Sequence, residues 1–379
     1  MCSGFFLEIN TFLRYNISMD KLKILFISRA YPPIIGGIEN QNYELGKWLG
    51  KIAEIKILAN KRGKKFLPFF LPYVGIKALF IARKYDVILL GDGVLSVIGY
   101  KLKFFYKKPV ICVVHGLDLT FKNFFYQKLW VGVFMKKIDK FIAVGNETVK
   151  VAKEKGVPES KIFFIPNGVD TEKNLVSGTK NDLEKIIGQS IANKKILLTS
   201  GRLTKRKGVA WFISKVMPKL DEEFLYIIAG DGPDKKNIRN AIKNANLENR
   251  AMVLGYVSDE KRNILLNNAD LFLQPNIKIQ GDMEGFGISV IEAGACNLPV
   301  IASNLEGLKD AIIDRQNGFL VESENTEAWT QKINELMSND NFRQEFGAKA
   351  RQYIINNFSW KIIAEKYLEE IRKVTNKNF

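Results

Sequence analysis

Short apolar runs recur along this chain, and most are followed by a segment whose apolar residues return at helical spacing. Ile24–Ser28 (ILFIS) is the kind of run that is buried on both faces of a parallel sheet. Similar runs at Ile55–Leu58, Val87–Leu90, Val110–Val114 and Phe141–Val144 predict further strands, with helices or loops between them. Ile38, Leu45, Trp48 and Leu49 share one helical face after the loop that ends in Gly36-Gly37. Thr171 to Lys195 is polar and weakly patterned, as a linker and leading helix would be, and then the alternation restarts. Strands are expected at Ile196–Thr199, Leu225–Ala229, within Met252–Ser258, within Ala269–Pro275 and at Val300–Ala302. A helix is expected at Val209–Val216, another through Ile288, Ile291 and Ala295 that Asn297 and Pro299 stop, and a last one carrying Trp360, Ile363, Tyr367 and Leu368 on one side. This is the pattern of two doubly wound α/β domains.

A length of 379 residues exceeds what one core usually organises, which agrees with two domains. The expected division is an N-terminal extension over 1–20, disordered or outside the natural start; a first domain over 21–175; a second over 176–357; and a terminal helix over 358–379. Met19 opens directly onto the first strand and is the expected start, and the residues before it lack the pattern of a signal peptide. No apolar run reaches the length of a membrane span. The nearest, Phe66 to Ala82, contains two prolines and Lys77 and is expected to form a loop and a buried helix leading to Val87–Leu90.

Charge adds a partner class. Lys and Arg outnumber Asp and Glu by 57 to 40, a formal charge of +17, which attracts phosphate of some kind: nucleotide, nucleic acid or anionic lipid. Between Lys61 and Lys140 sixteen cations face four carboxylates and are interleaved with Phe66, Phe69, Phe70, Phe104, Phe105, Tyr106, Phe121, Phe124, Phe125, Tyr126, Trp130 and Phe134. Such a mixture suits a surface docking on anionic membrane, and equally an aromatic core beneath a solvated lysine face. A nucleic-acid groove has similar composition, but no nucleic-acid module is present. Cys2, Cys112 and Cys296 show no metal or redox spacing and imply free thiols in a reducing cytoplasm.

The chemistry concentrates after the strands. Asp282 to Gly294 (DMEGFGISVIEAG) sets Glu284 in a loop and Glu292 on a helix, with Gly285 and Gly287 leaving bare backbone before the helix N-terminus. Gly201-Arg202-Leu203-Thr204-Lys205-Arg206-Lys207-Gly208 places cations between a strand and a helix, which makes a diphosphate site: Arg202 offers a planar fork and Lys207 a mobile point charge, with Lys205 and Arg206 read as flanking charge. His115, the sole histidine, follows the Val110–Val114 strand, where ligands of such sheets sit, and Asp118 lies three residues further on. Gly36-Gly37 is either a phosphate or sugar approach or simply a turn. Asp231 sits in a turn without a second carboxylate at metal-binding spacing, so no metal site is expected.

Glu284 to Glu292 followed by Ala293-Gly294-Ala295-Cys296-Asn297-Leu298-Pro299-Val300-Ile301-Ala302-Ser303 resembles the Glu-x7-Glu signature of family 4 retaining glycosyltransferases. The His115-Gly116-Leu117-Asp118, Pro166-Asn167-Gly168-Val169-Asp170 and Gly201-Arg202-Leu203…Lys207-Gly208 segments are similar to other motifs of that family, in the same order. The resemblance implies the GT-B arrangement: two Rossmann-like domains facing a cleft, the first on the acceptor side, the second binding the nucleotide-sugar, and a terminal helix returning to the first. It implies that Glu292 holds the ribose hydroxyls, that Glu284 and His115 lie by the donor sugar, that Arg202 and Lys207 bind the diphosphate, and that Asp118 is a candidate on the acceptor side. Gly36 and Gly37 would face the diphosphate across the cleft, Gly285, Phe286, Gly287 and Ile288 would line the donor through their backbone, and the segment with Val257 would meet the nucleobase. It further implies retention of configuration, with Glu284, His115, Arg202 and Lys207 at the reacting centre, a UDP- or GDP-sugar as donor substrate, and no cofactor. A lipid-linked or cell-envelope saccharide as acceptor and a cytoplasmic site, peripheral on the inner face of the membrane, fit the basic-aromatic patches. Two other readings are a nucleotide-sugar epimerase of the same fold, against which the Glu-x7-Glu context stands, and a nucleic-acid or membrane-binding protein with a vestigial donor site, against which the intact Glu284, Glu292, Arg202 and Lys207 stand.

Overall fold

The computed structural model describes residues 21–34, 36–172 and 178–375; the expected N-terminal extension and part of the expected linker lie outside them. Two sheets of six strands form the framework. The first runs in the order β2-β1-β3-β4-β5-β6, with β1 Lys23–Ser28, β2 Glu54–Ala59, β3 Val87–Leu90, β4 Val110–Val114, β5 Lys140–Ala143 and β6 Ile162–Phe164. The second runs β12-β11-β10-β7-β8-β9, with β7 Lys195–Ser200, β8 Phe224–Ala229, β9 Ala251–Gly255, β10 Leu271–Gln274, β11 Val300–Ser303 and β12 Phe319–Val321. The pairings are parallel. This is the doubly wound α/β class that the apolar runs imply, and a strand forms at every expected run. Contacts cluster into two units: one reaches to Val113 and adds Val133–Lys140 and the chain from Ala364; the other comprises Val114–Gly132 and Phe141–Ile363.

Parallel strands covered on both faces need apolar residues at consecutive positions, and the second sheet shows why. Leu197, Tyr226, Ile228, Leu273 and Ile301 enter one core with helices Val209–Lys215, Lys235–Asn244 and Thr326–Met337. Their neighbours Leu198, Leu225, Ile227, Phe272 and Val300 enter a second core on the opposite face with helix Ile288–Ala295. Successive residues of one strand therefore feed two cores. The Gly168 turn is pinned to the start of helix Trp360–Thr375: the Val169 N–H donates to the Phe358 carbonyl at 2.8 Å and the Trp360 N–H to the Val169 carbonyl at 3.1 Å. Trp360, Ile363, Tyr367 and Leu368 are all buried, as their spacing requires.

One expectation is overturned. Phe66 to Ala82 is not a loop and a buried helix: a helix spans Leu67–Ile81 and buries only Phe70, Val74 and Ala78. The 21-residue helical stretch Lys64–Lys84 is long and apolar enough to cross a membrane, and only 22% of its most apolar window is buried. Pro68 sits in the first turn, where no N–H is missed, and the helix continues past Pro72.

Candidate active site

The carboxyl ends of β7 and β10 in the second unit bring the chemistry together. After β7, Gly201 takes φ 137° and the chain makes one tight turn, Lys205–Lys207, before Gly208 at φ 65° starts helix Val209–Lys215. A side chain at Gly208 would put its Cβ 1.8 Å from the Pro275 carbonyl oxygen, so glycine alone lets this turn press against the end of β10. Lys207 is thereby turned inward. Its Nζ lies 2.5 Å from Glu284 Oε2, and both side chains are about nine-tenths buried.

Glu284 gathers most of the nearby polar groups. Asn276 Nδ2 donates to Glu284 Oε2 at 3.2 Å, Gln274 Nε2 donates to Asn276 Oδ1 at 2.6 Å, and the Ser289 hydroxyl donates to Gln274 Oε1 at 3.1 Å. Arg206 spans two carboxylates, with Nη1 3.1 Å from Asp282 and Nη2 3.6 Å from Glu284. Burial alone would push the Glu284 carboxyl up, but Lys207 and Arg206 outweigh it, helped by the hydrogen bonds from Lys207 and Asn276, and hold it at about 2. Glu284 is therefore a charged acceptor at neutral pH. Its backbone N–H donates to Glu306 Oε2 at 2.6 Å, and burial raises the Glu306 carboxyl above its ordinary range.

Past Glu284 the chain crosses Gly285 and Phe286, and Gly287 at φ 88° opens helix Ile288–Ala295. Phe286 is buried against Phe358, so its side chain belongs to the core and only its backbone is left for a ligand. Glu292, one face further along, pairs with Arg262 Nη2 at 2.9 Å, and this pairing raises the arginine's pKa. Arg262 lies on helix Asp259–Asn268, whose cap Ser258 directly follows the half-buried Val257. The segment with Val257 and the helix with Glu292 are thus fastened to each other. Nearby, burial and the Glu292 charge push the Cys296 thiol up to about 12, which leaves it unreactive.

His115 directly follows β4, and its carbonyl oxygen would lie 3.4 Å from a Cβ at Gly285, so it borders the Glu284 loop. Asp118 is buried and accepts from the His115 backbone N–H at 3.0 Å, which shapes the turn between them. Arg202 is exposed. Gly36 and Gly37 belong to the first unit, where extended backbone at Gly36 leads into helix Gly37–Ile52. Asp231 is part of a turn, accepting from the Gly232 N–H and pairing with Lys235 at 2.8 Å.

The reading of Arg206 as flanking charge is corrected, because its guanidinium is long enough to reach two carboxylates 76 and 78 positions away. Asn276, Gln274, Arg262 and Glu306 were not singled out from the sequence. Asn276 has a usable signal, being the first polar residue beyond β10, just past Pro275, the position where ligands of open α/β sheets bind.

Comparison with known proteins agrees with this geometry. Residues 182–353 match the family described as glycosyl transferases group 1, and residues 35–173 match glycosyltransferase family 4. The chain belongs to these glycosyltransferases. It is 27% identical to an uncharacterised glycosyltransferase of Methanocaldococcus jannaschii over 94% of this chain and 100% of the relative. It is also 27% identical to the UDP-Gal:alpha-D-GlcNAc-diphosphoundecaprenol alpha-1,3-galactosyltransferase of Escherichia coli, over 76% of this chain and 75% of that one. Among solved structures it is similar to the Anabaena protein HepE in complex with UDP-glucose, with a TM-score of 0.73 at 20% identity, covering 93% of this chain and 100% of that one. The observed fold is the GT-B fold of these enzymes, and the activity is transfer of sugar from a nucleotide-sugar.

Proposed function

We propose that the protein transfers a sugar from a UDP- or GDP-sugar to a hydroxyl of a lipid-linked or cell-envelope saccharide, with retention of configuration and without a metal. The observation that carries this reading is the buried Lys207–Glu284–Asn276 network beside Arg206 and the N-terminus of helix Ile288–Ala295. Lys207 and the exposed Arg202 stabilise the charge that develops on the departing diphosphate, together with that helix terminus, at the step where fixed electrostatics contributes most. Both Glu284 oxygens already face cations or an amide, which supports a role in positioning donor hydroxyls rather than as a nucleophile. The acceptor therefore attacks on the leaving-group side, where the donor phosphate helps to take its proton.

Glu292 takes the ribose hydroxyls, the backbone at Val257 meets the base, and Gly285, Phe286, Gly287 and Ile288 line the donor. His115 contacts the sugar, Asp118 serves the acceptor side through the turn it shapes, and Gly36 and Gly37 are assigned to the diphosphate. In this reading residues 21–175 form the acceptor domain and 176–357 the donor domain, and the protein works in the cytoplasm on the inner face of a membrane. The UDP-glucose complex of HepE and the UDP-galactose and lipid diphosphate in the name of the Escherichia coli relative support a uridine donor and a lipid-linked acceptor.

Thermal unfolding with a panel of UDP-, GDP- and ADP-sugars tests it. One nucleotide class should raise the midpoint for the wild type and not for Glu292→Ala, because only a ligand of the folded state stabilises. No shift with any donor would turn the reading towards the binding-protein alternative.

A further inference from the structure

Helix Leu67–Ile81 inverts the usual order of a surface helix. Phe69, Tyr73, Ile76 and Phe80 fall at i, i+4, i+7 and i+11, so they form one stripe, and the stripe faces solvent, with Phe69 68% and Phe80 81% exposed. The opposite side is held by the first unit through Phe70, Val74 and Ala78, and the Tyr106 hydroxyl on helix Ser96–Tyr106 donates to the Leu79 carbonyl. That second helix exposes Phe104 and Phe105. Contiguous exposed aromatics of this kind are rare on a surface that meets only water.

The charges around the stripe select its partner. Lys64 and Lys65 precede the helix and Arg83 and Lys84 follow it, all exposed, and Lys101 and Lys107 flank Phe104 and Phe105. The carboxylates between Lys61 and Lys108 are Asp86 and Asp92, and both are already engaged: the half-buried Asp86 accepts from the Lys23 N–H at 3.0 Å and the buried Asp92 pairs with Arg29 at 2.8 Å. A second copy of the chain would bring like charges together. The helix is not read as a membrane span, because one of its faces is already held by the protein through Phe70, Val74 and Ala78.

We propose that the stripe Phe69, Tyr73, Ile76 and Phe80, bounded by Lys64, Lys65, Arg83 and Lys84, docks the protein on an anionic lipid bilayer, with helix Leu67–Ile81 lying in the headgroup layer. The rings enter the acyl boundary and the terminal cations reach the phosphates, as in interfacial helices. The inference rests on the proposed lipid-linked acceptor only for its purpose, and it names the particular element that meets the membrane.

The test is co-sedimentation of the full chain with vesicles of phosphatidylcholine alone and with about a third phosphatidylglycerol. The wild type should sediment with the anionic vesicles at low salt and lose binding at high salt. A variant carrying Phe69→Ser, Tyr73→Ser, Ile76→Ser and Phe80→Ser should bind at least about tenfold more weakly. Equal binding by the variant, or a wild type that ignores anionic vesicles, would overturn the proposal. So would a lipid-free dimer of the wild type that the four substitutions abolish. Thermal stabilisation by nucleotide-sugars, measured on both proteins, reads the donor site separately: its loss with vesicle binding intact would sink the enzyme reading and leave the docking face standing.

Discussion

The two units obey one α/β grammar and depart from it in opposite directions. At the end of β7 and β10 the second unit puts charge inside, where Lys207 and Glu284 sit buried in contact. On helix Leu67–Ile81 the first unit puts apolar rings outside. Either departure costs stability unless something compensates, a partner ion in one case and a binding surface in the other. Function in this chain is therefore legible as violations of the burial rule, and the two kinds of violation should respond differently to mutation.

Lys207→Ala should show the largest effect. It strands the Glu284 carboxylate in the interior, so urea unfolding should reveal a loss of about 3–5 kcal/mol, and transfer should slow by roughly a hundredfold or more. An unchanged urea midpoint would erase the contrast between the units. Acid should act next, and through the same carboxylate. Because folding lowers the Glu284 pKa from its ordinary 4.5 to about 2, the contribution is fully present above pH 4.5 and is lost as pH falls toward 2. It amounts to roughly 3 kcal/mol, and Glu284→Gln should flatten the stability profile across that window. Asn276→Ala removes one hydrogen bond to the carboxylate and leaves the Gln274 amide with a lost acceptor, for about 1–3 kcal/mol in the same assay. Arg202→Ala removes an exposed side chain, so stability should hold within about 0.5 kcal/mol while donor affinity falls about tenfold by titration calorimetry. Phe80→Ser should leave both stability and donor binding unchanged within similar limits. A clear loss of stability there would mean that the stripe is core after all.

Much of this was readable from the chain. Runs such as Ile24–Ser28 and Leu225–Ala229 are long enough for buried-strand patterning to appear, whereas β6 and β12 are three-residue edge strands and leave no periodic signal. Glu284, Glu292, Lys207 and His115 stood out because glycines and strand ends frame them. Arg206, Arg262 and Glu306 did not, because their roles depend on partners far away in sequence that only the folded sheet brings near. Apolar content at Phe66 to Ala82 was evident, but composition does not say which side of a helix faces the protein, and the natural guess of burial was wrong.

Gly208 carries a last consequence, for the routes by which relatives of this enzyme can diverge. Any side chain there collides with the Pro275 carbonyl, and moving that carbonyl shifts the chain that carries Asn276. A substitution at 208 would thus disturb the lysine turn and the carboxylate's amide donor together, so no neutral first step leads away from glycine. Arg202, which is exposed, sits at the other extreme: a substitution there leaves the fold its footing, and under the proposed function it alters only the grip on the diphosphate.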